Sequence, residues 1–361
     1  MEKINKDLTR LGYDEFFETN REKLALSDFP VARVIAEHRG AYELMGEDGE
    51  LKAKIMGKQM FDASSREDFP AVGDWVAIKR LDSDRAIIHR ILPRKSMIAR
   101  KHGDRKKIGD NKELQIIGTN VDVAFIVESV DLDFSLNRFE RYLSIIYDGG
   151  VEPVIVLNKI DLISKEEINT KVDQLRSRFS DIDVILTSTV NEAGLEELRE
   201  YIASGKTYCF LGSSGVGKSS LINKLIEEDA IKTNEISEVS GRGRHTTTSR
   251  ELYFLKNGGI VMDNPGMREI GVADSGGGIK STFVDISDLA TQCKYADCTH
   301  THEAGCAVLA ALNSGELDSE KYSNYINLSK ENEYYEMTKL EQKEKDRQFG
   351  KFLKKAKKDI K

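Results

Sequence analysis

The sequence predicts a multidomain chain: a small all-β barrel of OB type, an α/β domain carrying a phosphate loop, and a C-terminal helical domain built around a metal site. Three observations predict it. Short alternating apolar runs, broken by Gly, Asp and Pro turn signals, fill residues 32–92. From Val121 onward, strand-like runs such as VDVAFIV, PVIVLN and TYCFLG alternate with helical stretches, the pattern of a mostly parallel sheet covered by helices. Cys293, Cys298 and Cys306 then fall close together beside His300 and His302.

Composition narrows the function classes. The 361 residues exceed one average domain, and the net charge of −7 argues against a protein that coats nucleic acid without selectivity. No apolar run reaches the ~18 residues a membrane span needs, and Met1 to Arg10 is polar, unlike a signal peptide. A cytoplasmic monomer with no membrane partner is expected. Clustered cysteines in such a reducing compartment favour metal over disulfides.

Read in order, residues 1–29 are a charged, helix-permissive extension anchored by Leu11, Phe16, Phe17 and Leu24. Residues 30–95 hold about five strands, for which an OB-type barrel is preferred and an SH3-like barrel stays open. A basic connector at 96–114 offers Arg100, Lys101, Arg105, Lys106, Lys107 and Lys112 either to solvent or to a phosphate backbone. The α/β domain spans 115–275, the cysteine-histidine domain 276–335, and a lysine-rich helix or tail 336–361.

The chemistry sits in the α/β domain. Strand TYCFL runs into Gly212, Ser213, Ser214, Gly215, Val216, Gly217, Lys218, Ser219 and Ser220, and a helix follows at once. That context makes a phosphate loop: glycines let backbone N–H groups face anionic oxygens, Lys218 supplies a cation, and the Ser219 hydroxyl can ligate Mg²⁺. The base is read elsewhere. Asn158, Lys159, Ile160 and Asp161 follow strand PVIVL, and the Asp161 carboxylate can accept from guanine N1–H and the N2 amino group, a donor pair adenine lacks. Asp263 ends strand GIVM and can hold Mg²⁺ through water while Gly266 approaches the terminal phosphate. Between them, GRGRHTTTSR at 241–250 has the composition of a segment that orders around γ-phosphate and Mg²⁺. A guanine-nucleotide hydrolase follows from these pieces, although the base reader precedes the phosphate loop, the reverse of the common order. A parallel sheet survives such recutting if its strands keep their places.

Cys293, Cys298 and Cys306 with one histidine supply a closed tetrahedral set for one structural Zn²⁺, and spacing alone admits His300 or His302. Cys209 reads as a small buried strand residue.

Barrel, NKID, TSTV, GSSGVGKSS, GRGRHTTT, DNPG and the cysteine-histidine cluster together resemble the ribosome-small-subunit-dependent GTPase A family over about residues 30–335. The resemblance implies a circularly permuted GTPase flanked by an OB barrel and a zinc domain. It further implies binding to the small ribosomal subunit and its rRNA late in assembly, subunit-stimulated hydrolysis of GTP, and release of assembly factors. Carried over by position, Asn158, Lys159 and Asp161 match the guanine motif, Gly212 to Ser220 the phosphate loop, Thr247 the switch threonine that meets Mg²⁺, and Asp263 to Gly266 the second switch. The family pattern selects His300 over His302. Ser188 and Thr189 depart from the usual Ser-Ala, yet the contact to guanine O6 comes from backbone, so Thr189 can serve. Met267 stands where Ras-like GTPases carry the water-orienting Gln, which makes His245 the candidate to position water. The alternative reading is a GTP-dependent switch acting on a protein partner outside the ribosome.

Overall fold

Alternation between residues 31 and 91 becomes five strands in the computed structural model, which describes residues 5–38, 40–55, 65–102, 113–131, 134–229, 250–263 and 276–337, with positions 341, 344 and 347. These strands are β1 (Val31–His38), β2 (Ala41–Gly46), β3 (Gly49–Ile55), β4 (Trp75–Arg80) and β5 (Arg85–Ile91). They close in the order β1-β2-β3-β5-β4-β1, with β3–β5 parallel and every other pair antiparallel. This is the OB-type Greek key and resolves the SH3-like alternative. Alternate residues point inward, so Val34, Leu44, Leu51, Val76, Ile78 and Ile88 fill the barrel.

Residues 5–29 carry two short helices packed on the barrel. Helices α1 (Lys6–Arg10) and α2 (Glu15–Lys23) are capped by the side chains of Asn5 and Asp14, which accept the N–H groups of Asp7 and Phe16. They lay Tyr13 and Phe17 against the fully buried Trp75 of the barrel's outer side.

At each end of the expected connector lies a strand, β6 (Met97–His102) and β7 (Glu113–Thr119), paired as a two-stranded sheet. Buried Ile98, Ile116 and Ile117 supply its apolar side, which the surrounding charge concealed in the sequence.

The α/β sheet comprises β8 (Val123–Ser129), β9 (Glu152–Asn158), β10 (Val184–Thr187), β11 (Thr207–Leu211), β12 (Glu251–Phe254) and β13 (Ile260–Asp263). Their order is β10-β9-β8-β11-β13-β12, parallel except for β12. Helices α3 (Leu136–Asp148), α4 (Lys165–Arg178), α5 (Leu195–Tyr201) and α6 (Lys218–Asp229) connect them. Leu195 and Leu198 of α5 and Leu221 and Leu225 of α6 pack on Phe125, Val127, Val156 and Phe210 of one sheet face. α3 lies against β6, β8 and β9. Because five strands run parallel, residues 129, 158, 187, 211 and 263 all end on one edge.

Barrel and sheet are joined where β1 pairs with β12 at Ala36 and Glu251, where Thr119 and Asn120 donate to Val72 O and Gly73 O, and at the buried Arg33 of β1. Its guanidinium donates to Leu11 O at 2.6 Å, Asn120 O at 3.3 Å, Gly73 O at 3.3 Å and Thr207 Oγ1 at 2.8 Å. The chain divides into units 1–270 and 271–361. In the second, α7 (Gly276–Thr282), α8 (Val284–Ala290), α9 (Ala307–Ser314) and α10 (Ser319–Glu336) pack with Phe283 buried against Tyr325.

Candidate nucleotide site and metal centre

At the carboxyl edge of the sheet, β11 passes into the Gly212 loop and α6 begins at Lys218, so the loop sits against a helix N-terminus. Gly212 has φ +145°, and a Cβ there would lie 2.1 Å from Val127 O of the neighbouring strand. Only a glycine permits that crossing. Gly217, at φ +99°, faces Asn158 instead, and a Cβ would lie 2.3 Å from its side-chain nitrogen. Val216 between them is buried, while Ser214, Gly215, Ser219 and Ser220 are exposed.

Of the residues expected to read the base, Asn158 reaches this loop directly. Asn158, fully buried, donates from Nδ2 to Val216 O at 2.8 Å and accepts from Thr187 Oγ1 at 3.0 Å. Asp161 is exposed beyond it, and its carboxylate accepts the Ser188 hydroxyl at 2.5 Å. Ser188 Oγ in turn accepts from the N–H groups of Val190 and Asn191, which closes the Ser188–Thr189 turn around it. Lys159 takes the left-handed φ of 62°, and its Nζ lies 3.2 Å from Asp131 Oδ2. Ile160 opens the short 3-10 turn Ile160–Leu162.

Lys218 Nζ donates to Gly212 O at 2.7 Å and Ser213 O at 2.5 Å. Burial pushes its ammonium down to about 8, against the opposing pull of Glu128 and Asp263. Asp263, at the end of β13, therefore belongs to the same electrostatic environment as Lys218. Beneath the loop, Glu128 is buried in an ion pair with Arg138 at 3.1 Å, and the buried Tyr142 hydrogen-bonds Ser213. Burial pushes that phenol up to about 12. His245, Thr247 and Gly266 lie outside the described residues, as does Met267. Cys209 is fully buried in β11.

In the second unit, the ligand atoms of Cys293, Cys298, His300 and Cys306 all lie within 4.8 Å of one another, so this cluster can hold one metal ion. Cys293 and Cys306 sulfurs are 3.8 Å apart, and His300 Nδ1 stands 3.6 and 3.5 Å from them. A tetrahedral zinc ion requires about 3.8 Å between sulfurs and about 3.6 Å between sulfur and nitrogen. The donor set and its spacing are consistent with zinc. His302 is exposed and outside the cluster, which settles the choice that spacing left open. His300 adopts φ 59° and its carbonyl accepts the Tyr322 hydroxyl at 2.7 Å. Cys306 caps α9, with Sγ accepting Leu309 N–H at 3.4 Å. Burial pushes the Cys293 thiol up, but N–H groups of Ala307 and Val308, with Cys306 and Cys298, outweigh it and hold the thiol below its ordinary value.

The family model "RsgA GTPase" matches residues 91–273. A relative in Lactiplantibacillus plantarum, named small ribosomal subunit biogenesis GTPase RsgA 2, is 42% identical over 322 residues, 89% of each chain. The chain belongs to the RsgA GTPase family. A second RsgA, from Bacteroides thetaiotaomicron, is 34% identical over 99% of each chain. Among solved structures, the YjeQ crystal structure from Thermotoga maritima superposes with TM-score 0.60 and 27% identity, covering 83% of this chain and 96% of that one. The structure of YloQ, described as a circularly permuted GTPase, gives TM-score 0.58 at 24% identity over 88% and 96%, which bears on the fold. This RsgA chain is accordingly a GTP hydrolase with the permuted strand order described above.

Some neighbours of the motifs escaped the sequence reading. Asp131 meets Lys159, Tyr142 meets Ser213, and Glu128 pairs with Arg138, yet none of these four lies inside a recognisable pattern. The polar run Glu128-Ser129 at the end of the apolar run of β8 was the available signal. Among the described residues no helix is long and apolar enough to cross a membrane.

Proposed function

We propose that this chain binds GTP at the carboxyl edge of its permuted sheet and hydrolyses it to GDP and phosphate during late maturation of the small ribosomal subunit, stimulated by that subunit. The observation that carries the site is the hydrogen bond from Asn158 to Val216, which joins the base reader to the phosphate loop across their inverted order. The names of the relatives carry the biological setting.

In this reading Asp161, aimed by Ser188, accepts from guanine N1–H and N2, and the backbone of Thr189 meets O6. Loop N–H groups from Ser213 to Ser220 and the Lys218 ammonium hold the phosphates. Ser219, Thr247 and Asp263 would hold Mg²⁺, which supplies charge compensation at the β- and γ-phosphates. Gly266 approaches the terminal phosphate. His245 positions the attacking water, since Met267 has no group suited to it. Zinc at Cys293, Cys298, His300 and Cys306 is structural, one ion per chain, because four protein ligands leave no open position. The barrel, the basic connector and the lysine tail contact rRNA, assembly factors are released, and the protein acts as a cytoplasmic monomer.

GTP turnover with and without purified small subunits tests this. Stimulation by a factor of ten or more is expected, and it should vanish in Lys218→Ala. Equal turnover with and without subunits would reject the ribosomal part of the reading.

A further inference from the structure

Polar side chains of the base-reading motif are fixed from neighbouring strand ends. Asn158 is held by the Val216 carbonyl and Thr187, and Asp161 by Ser188. The third anchor comes from the end of β8. Val130 N–H donates to Asn158 O at 3.0 Å, which ties the loop after β8 to the base reader. One residue on, Asp131 accepts the hydroxyl of the buried Ser129 on Oδ1 at 2.6 Å and offers Oδ2 to Lys159 Nζ at 3.2 Å.

From this arrangement we infer that Asp131 is a positioning residue for the nucleotide base, acting by holding the side chain of Lys159 in place. The inference rests on the nucleotide-site reading above and deepens it. Both partners keep about a third of their side-chain exposure, at 31% and 33%, so the ion pair itself contributes little to folding. What it does is remove freedom. A lysine stem has four rotatable bonds, and the left-handed backbone of Lys159 already limits where that stem can go. With the ammonium tethered to a carboxylate that Ser129 orients, the apolar stem lies across the gap between the β8 and β9 strand ends. A purine whose edge is read by Asp161 would rest on that stem. The sign of the electrostatics separates this role from a simple charge effect: removing a carboxylate near an anionic ligand should by itself tighten binding.

The test is a double-mutant cycle in the full chain, titrating GDP and inorganic tripolyphosphate. Asp131→Asn should weaken GDP binding about fivefold while tripolyphosphate binding stays unchanged or tightens. Asp131→Glu should recover GDP affinity to within about twofold, and Ser129→Ala should show a smaller loss of the same kind. In a Lys159→Met background, Asp131→Asn should change nothing. An unaltered GDP affinity for Asp131→Asn, or an equal loss with and without Lys159, overturns the inference. If Lys159→Met itself leaves GDP affinity untouched, the failure lies with the nucleotide-site reading instead.

Discussion

Gly217 packs directly against the Asn158 side chain. A methyl group there would sit 2.3 Å from Asn158 Nδ2, and φ of +99° strains any residue with a Cβ. Gly217→Ala should break the Asn158–Val216 hydrogen bond and weaken GTP binding at least about tenfold, measured by titration, with a far smaller change in melting temperature. The identities of Gly217, Asn158, Asp161 and Lys218 were legible in the sequence because each lies in a short motif whose chemistry depends on local spacing. Their anchors were not. Thr187 meets Asn158 from 29 residues away, and Arg33 meets Thr207 from 174 residues away. Those distances along the chain are set by strand order, which no local pattern encodes.

At the scale of elements, the second unit combines a small apolar core of Phe283, Ile286, Val308 and Leu328 with the cysteine-histidine cluster. The unit from 271 onward gathers short helices around Cys293, Cys298, His300 and Cys306, and Cys306 also caps α9. A metal ion held there would contribute to its folding free energy. Chelation, or Cys298→Ser, should release one zinc per chain and lower the helical circular dichroism signal, while GTP binding at the sheet edge persists. The barrel strands were legible from period-two alternation, and the structure adds what alternation cannot give, the parallel β3–β5 pair. Strands β6 and β7 were hidden because lysines and arginines dominate the run between them, so charge outweighed the buried Ile98 and Ile116 in any reading by composition.

At the scale of the whole molecule, Arg33 is a buried polar joint between barrel and sheet, beside the contacts of Thr119 and Asn120 with Val72 and Gly73. Arg33 is buried, and burial lowers its guanidinium to about 10 despite the nearby charges of Asp122 and Asp74. Arg33→Leu would take the donor from the buried Asn120 carbonyl and remove the bonds to Leu11 O and Thr207, while Gly73 O keeps Asn120 Nδ2, so a loss of about 2–4 kcal/mol in unfolding free energy is expected from denaturant titration. The rotated order of the motifs was legible from the sequence alone, since each motif announces its own strand end. That the barrel continues the same sheet through β1 and β12 was not, because the pairing of Ala36 with Glu251 joins distant parts of the chain. The central claim is that these distant parts build one guanine pocket. Competition between GTP and xanthosine triphosphate in Asp161→Asn tests it most directly. The account predicts that preference moves from guanine to xanthine while the phosphate contacts are retained, and an unchanged preference for GTP would contradict it.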